Sequence, residues 1–278
     1  MRCALKSSLF RLFRTKLFFW IFVFSLAVGL GVFFNLCTDE LDMYYSLSRP
    51  RYFDTEHLIL CLRNLIFVFP FGSAVFCMMF TGSDISSRTV NNKIVTGTPR
   101  IALFFADVIV SVLATVLSVV AYSAVLFIML KFVPIKEAVE INSKVIQTVL
   151  HAAVISIAFT VFFTLLQFLF SNKLFGVIIS MFLVPALMTY PSFAVRILAE
   201  PYRYSYKDED TGEIVWELNP EYISGNERKA LTFSVEINPY YEVLIREPDS
   251  TKTAVAAGAV IMLSAAAGVV SVSRKEFP

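Results

Sequence analysis

The stretch 101-IALFFADVIVSVLATVLSVVAYSAVLFIML-130 contains a single charged residue, Asp107. A helix needs about 20 mainly apolar residues to cross about 30 Å of hydrocarbon, so this stretch is long enough to span a bilayer. Five further apolar stretches lie at 17–36, 57–80, 146–170, 174–198 and 253–272. The pattern predicts an all-α integral membrane protein with six transmembrane helices.

The composition agrees with this fold class. The 278 residues are 57% hydrophobic, with a mean hydropathy of +0.69 and only 17% charged residues. A soluble domain carries about 25% charged residues. The low charge and the long apolar runs argue against a soluble or a disordered chain.

The charged residues are sorted by position along the chain. Residues 1–16, the loop at 81–100 and the C-terminal tail are rich in Lys and Arg, whereas 37–56 and 199–251 are rich in Asp and Glu. Lys and Arg near the ends of spans set membrane orientation. We therefore expect a multi-pass protein of the plasma membrane with both termini in the cytoplasm and 199–251 outside. The sequence has no Asn-x-Ser/Thr site, which fits a bacterial protein.

The first 16 residues predict an amphipathic helix lying in the headgroup region. One face of this helix carries Leu5, Leu9, Leu12 and Phe13 and the rest carries Lys6, Arg11 and Arg14. The alternative is a basic flank to the first span. The apolar run at 17–36 exceeds the 7–15 residues of a signal-peptide core, so we expect this span to be retained.

The chain divides into four parts on this reading. After the interfacial helix at 1–16, residues 17–198 form spans one to five, 199–251 form an extracytoplasmic cap, and 252–278 form the sixth span and the tail. Within the cap, the tyrosines at 202, 204 and 206 and the run Glu213–Leu218 predict a β-hairpin, and Ala230–Ile237 could add a strand. About 50 residues bury only a thin core, so we expect the cap to lean on the spans or on a second copy.

Small residues and prolines mark two of the spans. Pro185 and Pro191 predict a broken helix near the end of span five. In the last span, Ala254 and Gly258, and then Ser264 and Gly268, are four residues apart. Such spacing allows helix backbones to approach closely in lipid.

The sequence contains no catalytic motif that we can identify. It lacks the phosphate-binding loop of ATPases, the His-Glu-x-x-His of zinc proteases and the Gly-x-Ser-x-Gly of hydrolases. Its two histidines, His57 and His151, are far apart and have no paired cysteines. We therefore predict no catalytic, cofactor or metal site, no enzyme activity and no nucleic-acid partner. A disulfide between Cys37 and Cys61, both near the outer face, is left open.

Three polar residues inside the apolar stretches are candidates for an intramembrane role: Asp107, Arg63 and Gln167. Asp107 is either part of a transport or coupling device, or it pairs with a basic residue near the cytoplasmic edge. Arg63 either reaches outward to the interface or faces a polar interior.

The most specific segment is the basic loop 82-GSDISSRTVNNKIVTGTPR-100. Ser83 or Asp84 can cap a short helix, and Gly97 and Pro99 can end it before the third span. One face of this helix would carry the apolar residues Ile85, Val90, Ile94 and Val95. The alternative is a solvated helix that only joins two spans.

This loop resembles that of the type-2 permeases, the export-type membrane subunits of ATP-binding-cassette (ABC) transporters. That family carries an acid, a small residue followed by Thr, an apolar stretch, and then Pro and Arg before the third span. The residues that match in order are Asp84, Thr89, Val90, Ile94, Pro99 and Arg100. Two positions depart from the pattern: Arg88 stands where Gly is usual, and Asp107 stands where Lys is usual.

The resemblance implies a permease that moves a substrate with ATP hydrolysed by a separate subunit. It implies a loop that couples to two ATPase chains, and a second permease copy in a homodimer or heterodimer. From its exposed polar character we expect Asp84, Arg88 and Lys93 to form the contact, with Thr89 and Arg100 holding the ends of the loop and Arg100 anchoring at lipid headgroups. The alternatives are a non-transporting sensor or immunity protein with a binding cap, or an ion-driven secondary transporter.

Overall fold

A computed structural model describes residues 2–20, 22–24, 26–31, 55–129, 131, 142–170, 172–207, 214–238, 240 and 250–275. Its elements in chain order are α1 (Arg2–Arg14), α2 (Lys16–Gly31), α3 (Thr55–Ser86), α4 (Thr89–Val95), α5 (Arg100–Met129), α6 (Ser143–Phe170), α7 (Lys173–Ala199), β1 (Arg203–Lys207), β2 (Ile214–Leu218), α8 (Gly225–Ile237) and α9 (Ser250–Arg274). The chain forms two compact units, the first from Met1–Val184 with Ser250–Pro278 and the second from Pro185–Asp249.

The helical character predicted from the sequence is confirmed. Within the described residues, five helices are long and apolar enough to cross a membrane: α3, α5, α6, α7 and α9. A sixth crossing is present only if α1 and α2 count as one span, and these two helices meet at an angle of 55°. The two strands form the only sheet in the described part of the chain.

Helix α6 lies at the centre of the first unit, where it packs against α3, α5 and α9. Its small hydroxyl residues recur every four positions, which places them on one buried face. The hydroxyls of Thr160 and Thr115 are 2.8 Å apart and join α6 to α5. The Cys77 thiol donates to the Thr160 carbonyl at 3.6 Å and joins α3 to α6. The polar groups of Thr115, Thr160 and Cys77 thus have partners within the helix bundle.

Close packing in the last helix is confirmed at one glycine and is wrong at another. A Cβ atom at Gly268 would collide with the ring of Phe104 on α5. A Cβ atom at Gly258 would have no described atom within 4 Å. Of these two glycines, only Gly268 lies where a Cβ atom would collide with a neighbouring helix.

The N-terminal helix is confirmed, but its predicted face is wrong in part. Helix α1 packs against α5 with Ala4, Ser8 and Leu12 buried, whereas Phe13 is exposed. Residues four apart lie on one face of a helix, so the buried stripe is the small-residue stripe rather than the aromatic one. Arg11 lies beside this stripe and is partly buried, contrary to the expectation that the basic residues point elsewhere.

The second unit contains the end of α7, the hairpin and α8. The predicted hairpin is confirmed, with β1 and β2 antiparallel and Arg203 paired with Leu218. The strand predicted at 230–237 is wrong, because this segment belongs to α8. Its run Glu-Arg-Lys-Ala-Leu is made of strong helix formers.

The predicted break in the fifth span is also wrong. Helix α7 continues through Pro185 and Pro191 to Ala199. In the second unit its free carbonyls find side-chain donors: Asn238 donates to Leu187 at 3.0 Å, and Arg228 donates to Leu198 at 2.7 Å. Such donors replace backbone bonds that prolines and helix ends leave unmade.

The proposed Cys37 partner of Cys61 lies outside the described residues, and Cys61 is buried.

Candidate functional site

The loop at 81–100 is a turn followed by one short helix. Helix α3 extends to Ser86, so Ser83 and Asp84 lie in its last turn and do not cap α4, which corrects the predicted start. Helix α4 begins after Arg88 and ends before Gly97, whose φ of +91° is readily adopted only by glycine. The next helix begins directly after Pro99.

Arg88 has a left-handed backbone, with φ 57° and ψ 16°. It is the only described non-glycine residue with a positive φ. A residue with a Cβ loses about 1–2 kcal/mol in this conformation. The position at which the resembled family usually has Gly is therefore one at which the backbone favours Gly, and this chain places an exposed arginine there.

One side of α4 is fixed by apolar packing. Val90 is buried in a cluster with Ala4 of α1, Ile85 of α3 and Leu103 of α5, and Ile94 packs against the same cluster. Val95, which we expected on the same face, is 85% exposed. The helix therefore joins three other helices through two of its apolar side chains.

A second set of contacts to α4 is ionic. The Lys93 ammonium lies 3.2 Å from one carboxylate oxygen of Asp84, and the Arg11 guanidinium pairs with the other oxygen. Asp84 is only 4% exposed, so the expectation that it is an exposed docking side chain is wrong. Burial lowers the pKa of Lys93, and the charge of Asp107 opposes this shift.

Asp107 completes this group of charges. Its carboxylate accepts a hydrogen bond from the Ser8 hydroxyl at 3.0 Å, and the same oxygen lies 4.0 Å from the Arg11 guanidinium. The guanidinium also stacks over the ring of Phe80, 3.7 Å from its centre. Of the two interpretations of Asp107, the structure agrees with pairing to a basic residue, although that residue comes from α1.

We call Arg11, Asp84, Lys93 and Asp107 the charged cluster. It contains two cations and two anions, and it links α1, α3, α4 and α5. Such charges attract strongly when they are shielded from water, but removing one leaves its partner unpaired. The cluster therefore holds the loop helix in one position relative to three longer helices.

Arg11 and Ser8 were not among the predicted site residues. One signal in the sequence could have suggested them: Ser8 lies in the Ala4–Leu12 stripe, and Arg11, three residues later on the helix, lies beside it. A carboxylate in an apolar span requires a partner, and α1 is rich in bases. Nothing local identifies which base is used.

Arg100 and the C-terminal tail hold the other end of the loop. The Arg100 guanidinium donates to the carbonyl of Lys275 at 2.7 Å, and its contact with lipid headgroups stays a prediction. The Lys275 ammonium donates to the carbonyls of Phe168, at 2.6 Å, and Leu169. A cation at the C-terminus of α6 also interacts favourably with the helix dipole. The Thr89 hydroxyl lies 2.8 Å from that of Ser87 and stabilises the turn.

The other two intramembrane candidates lie away from the charged cluster. Arg63 is half-buried in the first third of α3. Gln167 is fully buried on α6, between Gly82 and Gly176, where an added Cβ atom would crowd its amide. The structure thus brings together Asp84, Lys93 and Asp107 from the predicted set, and it leaves Arg88 exposed at the surface of the loop.

The described residues contain no group of three or more His, Cys, Asp or Glu side chains arranged to hold a metal ion. No protein-family model matches the chain, and a search of curated proteins finds no similar sequence. The arrangement fixes one side of α4 through ion pairs and apolar packing and leaves Val95 on its other side exposed.

Proposed function

We propose that this chain is the permease subunit of an ABC transporter, an exporter whose ATP is hydrolysed by a separate ATPase subunit. The observation that carries the proposal is that α4 is fixed on one side and exposed on the other. One side of this short helix is fixed by Val90 and by the ion pair of Lys93 with Asp84. Its other side exposes Arg88, Asn92 and Val95.

The strained backbone at Arg88 supports a function for its side chain. A left-handed non-glycine residue persists where the surroundings fix it, and such residues cluster at functional sites. Arg88 gains no capping hydrogen bond from its side chain in this position. An arginine whose side chain is exposed and makes no capping hydrogen bond to α4 is suited to an ion pair with a partner protein.

The fixed side of α4 supports a coupling function. When an ATPase moves α4, the apolar cluster and the charged cluster transmit that movement to α1, α3 and α5. Packed interfaces switch between discrete arrangements rather than deforming continuously. In this proposal two ATPase chains act on two permease chains, as a homodimer or heterodimer, in the plasma membrane. The termini lie in the cytoplasm and the cap lies outside.

We expect an ABC ATPase to be encoded beside this chain, and the test is its recovery after purification in detergent. Arg88→Ala should lower its recovery and its ATP hydrolysis in the complex. The matched control is Arg274→Ala, an exposed arginine on the same predicted side of the membrane, which should change neither. If Arg88→Ala and Arg274→Ala behave alike, the coupling role is rejected. Cysteine probes at Asn91 and Asp210 test the orientation: only the latter should react from outside.

A second candidate is a membrane sensor or immunity protein that binds a ligand through its cap. The hairpin favours this candidate, because Ile214, Trp216 and Leu218 are all more than half exposed. The two functions differ in one measurement. A sensor retains ligand binding when Arg88 is replaced and when no ATPase is present, whereas a permease loses transport under both conditions.

A further inference from the structure

The hairpin of the second unit has two chemically different faces. Residues paired across an antiparallel ladder project to the same face, and successive residues alternate. Arg203 pairs with Leu218, Ser205 pairs with Trp216, and Lys207 pairs with Ile214 at the end of the ladder. We call these six residues the Trp216 face.

The Trp216 face is exposed and largely apolar. Ile214, Trp216 and Leu218 are 67%, 64% and 60% exposed. Adjacent large apolar side chains that remain exposed commonly mark an interaction surface. The polar residues at the register positions of this face are Arg203, Ser205 and Lys207, and Arg203 and Ser205 are exposed.

The opposite face carries the negative charge of the two strands. Glu217 accepts hydrogen bonds from the hydroxyls of Tyr204, at 3.2 Å, and Tyr206, at 3.0 Å. The carboxylate is thus held on the side away from Arg203. The two strands therefore separate an arginine and three apolar side chains from their only acid.

The position of the hairpin along the chain indicates what the Trp216 face contacts. Helix α7, which is long and apolar enough to cross a membrane, ends at Ala199, and β1 begins at Arg203. Four residues of extended chain reach about 14 Å at most. Arg203 and its partner Leu218 therefore lie within the depth of a headgroup layer from the end of α7.

We propose that the Trp216 face lies in the phospholipid headgroup region of the membrane, with Trp216 at the boundary of the acyl chains and Arg203 on a lipid phosphate. Tryptophan is enriched at this boundary because its ring is apolar and its N–H is polar. Arginine matches phosphate with two parallel hydrogen bonds. The segment 208–213 carries four acids, so the partner is the phosphate of zwitterionic lipid and not a negatively charged membrane surface.

The test uses the full chain in phosphatidylcholine nanodiscs. The sequence has two tryptophans, so Trp20→Phe leaves Trp216 as the only tryptophan, which is excited at wavelengths that tyrosine does not absorb. Its emission should be quenched by lipids that carry a nitroxide near the headgroup and protected from acrylamide in water. The matched control combines Trp20→Phe, Trp216→Phe and Tyr206→Trp, which moves the fluorophore to the opposite face. This control should be quenched by acrylamide and protected from the nitroxide lipids.

A charge reversal tests the phosphate contact. Arg203→Glu in the Trp20→Phe background should lower the ratio of lipid-contacting to water-exposed Trp216 by about tenfold, the effect of losing one hydrogen bond to a charged group. Equal acrylamide quenching at positions 216 and 206 overturns the proposal. The proposal is also overturned if Trp216 is protected from both quenchers and this protection disappears in discs that hold one chain. That result would assign the face to a second copy.

Discussion

Neutralising Asp84 should destabilise the first unit. The substitution Asp84→Asn keeps the volume of the side chain and removes its charge. It leaves the Arg11 guanidinium with Asp107 alone, at 4.0 Å, and leaves the Lys93 ammonium without its 3.2 Å partner. Two cations would then share one carboxylate in a largely buried site.

The magnitude follows from how far these charges are buried. Removing one partner of a buried ion pair costs about 3–5 kcal/mol. The side chains of Arg11 and Lys93 are 23% and 19% exposed, so water still solvates part of each cation. We therefore expect a loss near the lower end, about 3 kcal/mol.

The assay is equilibrium unfolding in mixed detergent micelles, followed by far-ultraviolet circular dichroism. Glu236→Gln is the matched control, because this acid is exposed on α8 and its loss should change stability by less than about 0.5 kcal/mol. The double variant Arg11→Gln with Asp84→Asn should cost less than the sum of the single variants by about 1 kcal/mol or more, as expected for residues in contact. Additive effects, or an Asp84→Asn variant as stable as the control, would refute the charged cluster as an energetic unit.

The remaining predictions concern the backbone and the helix contacts. Arg88→Gly should raise unfolding stability by about 1 kcal/mol while weakening recovery of the ATPase, and a parallel loss of both would contradict the strain argument. Gly268→Ala should lower stability by about 1–3 kcal/mol through overpacking, whereas Gly258→Ala, in open space, should raise it by up to about 1 kcal/mol; equal melting temperatures would contradict the packing. Tyr122→Phe should cost about 0.5–1.5 kcal/mol by removing the 3.1 Å hydrogen bond to the Cys61 carbonyl, and an unchanged unfolding midpoint would contradict that contact.

Periodicity explains which parts of the fold could be predicted. The long apolar runs of α3, α5, α6, α7 and α9 each exceed the length that a membrane crossing requires, so no tertiary information is needed to find them. The hairpin could also be predicted from local sequence, because alternating tyrosines precede a turn signal and an apolar strand. Segment 230–237 failed as a strand because a run of apolar and polar residues fits both periods, and the helix formers before it decide the outcome.

Local capping signals explain the error at the start of the loop helix. Ser and Asp favour the position before a helix. Here Ser83 lies within α3, where its hydroxyl donates to the carbonyl of Phe80 at 2.8 Å. The same residue type can satisfy a helix end from inside its last turn. A cap residue therefore marks a boundary only to within about one and a half turns, and α4 begins five residues later than Ser83 suggests.

The charged cluster could not be predicted, because its partners are distant in sequence and each has a local explanation. In the sequence, Arg11 is one of several basic residues before the first span, and Asp84 fits either a helix cap or a docking residue. Their pairing depends on α1 packing along α5 through Ala4, Ser8 and Leu12, a stripe with low hydrophobicity that composition alone does not identify. The sequence identified three members of the cluster and could not identify the arginine that joins them.

Stability alone does not account for charges at this position. Apolar residues of similar volume would pack against Phe80 and Val90 at little cost, and such replacements often stabilise proteins. What charges add is a choice of partners: the Arg11 guanidinium lies within reach of Asp84 at the end of α3 and of Asp107 on α5. A small movement of α4, carried by Lys93 on Asp84, changes how that guanidinium is shared between the two acids. An ionic link that can be redistributed suits a helix that must be held firmly and also moved, which is what coupling to an ATPase would require.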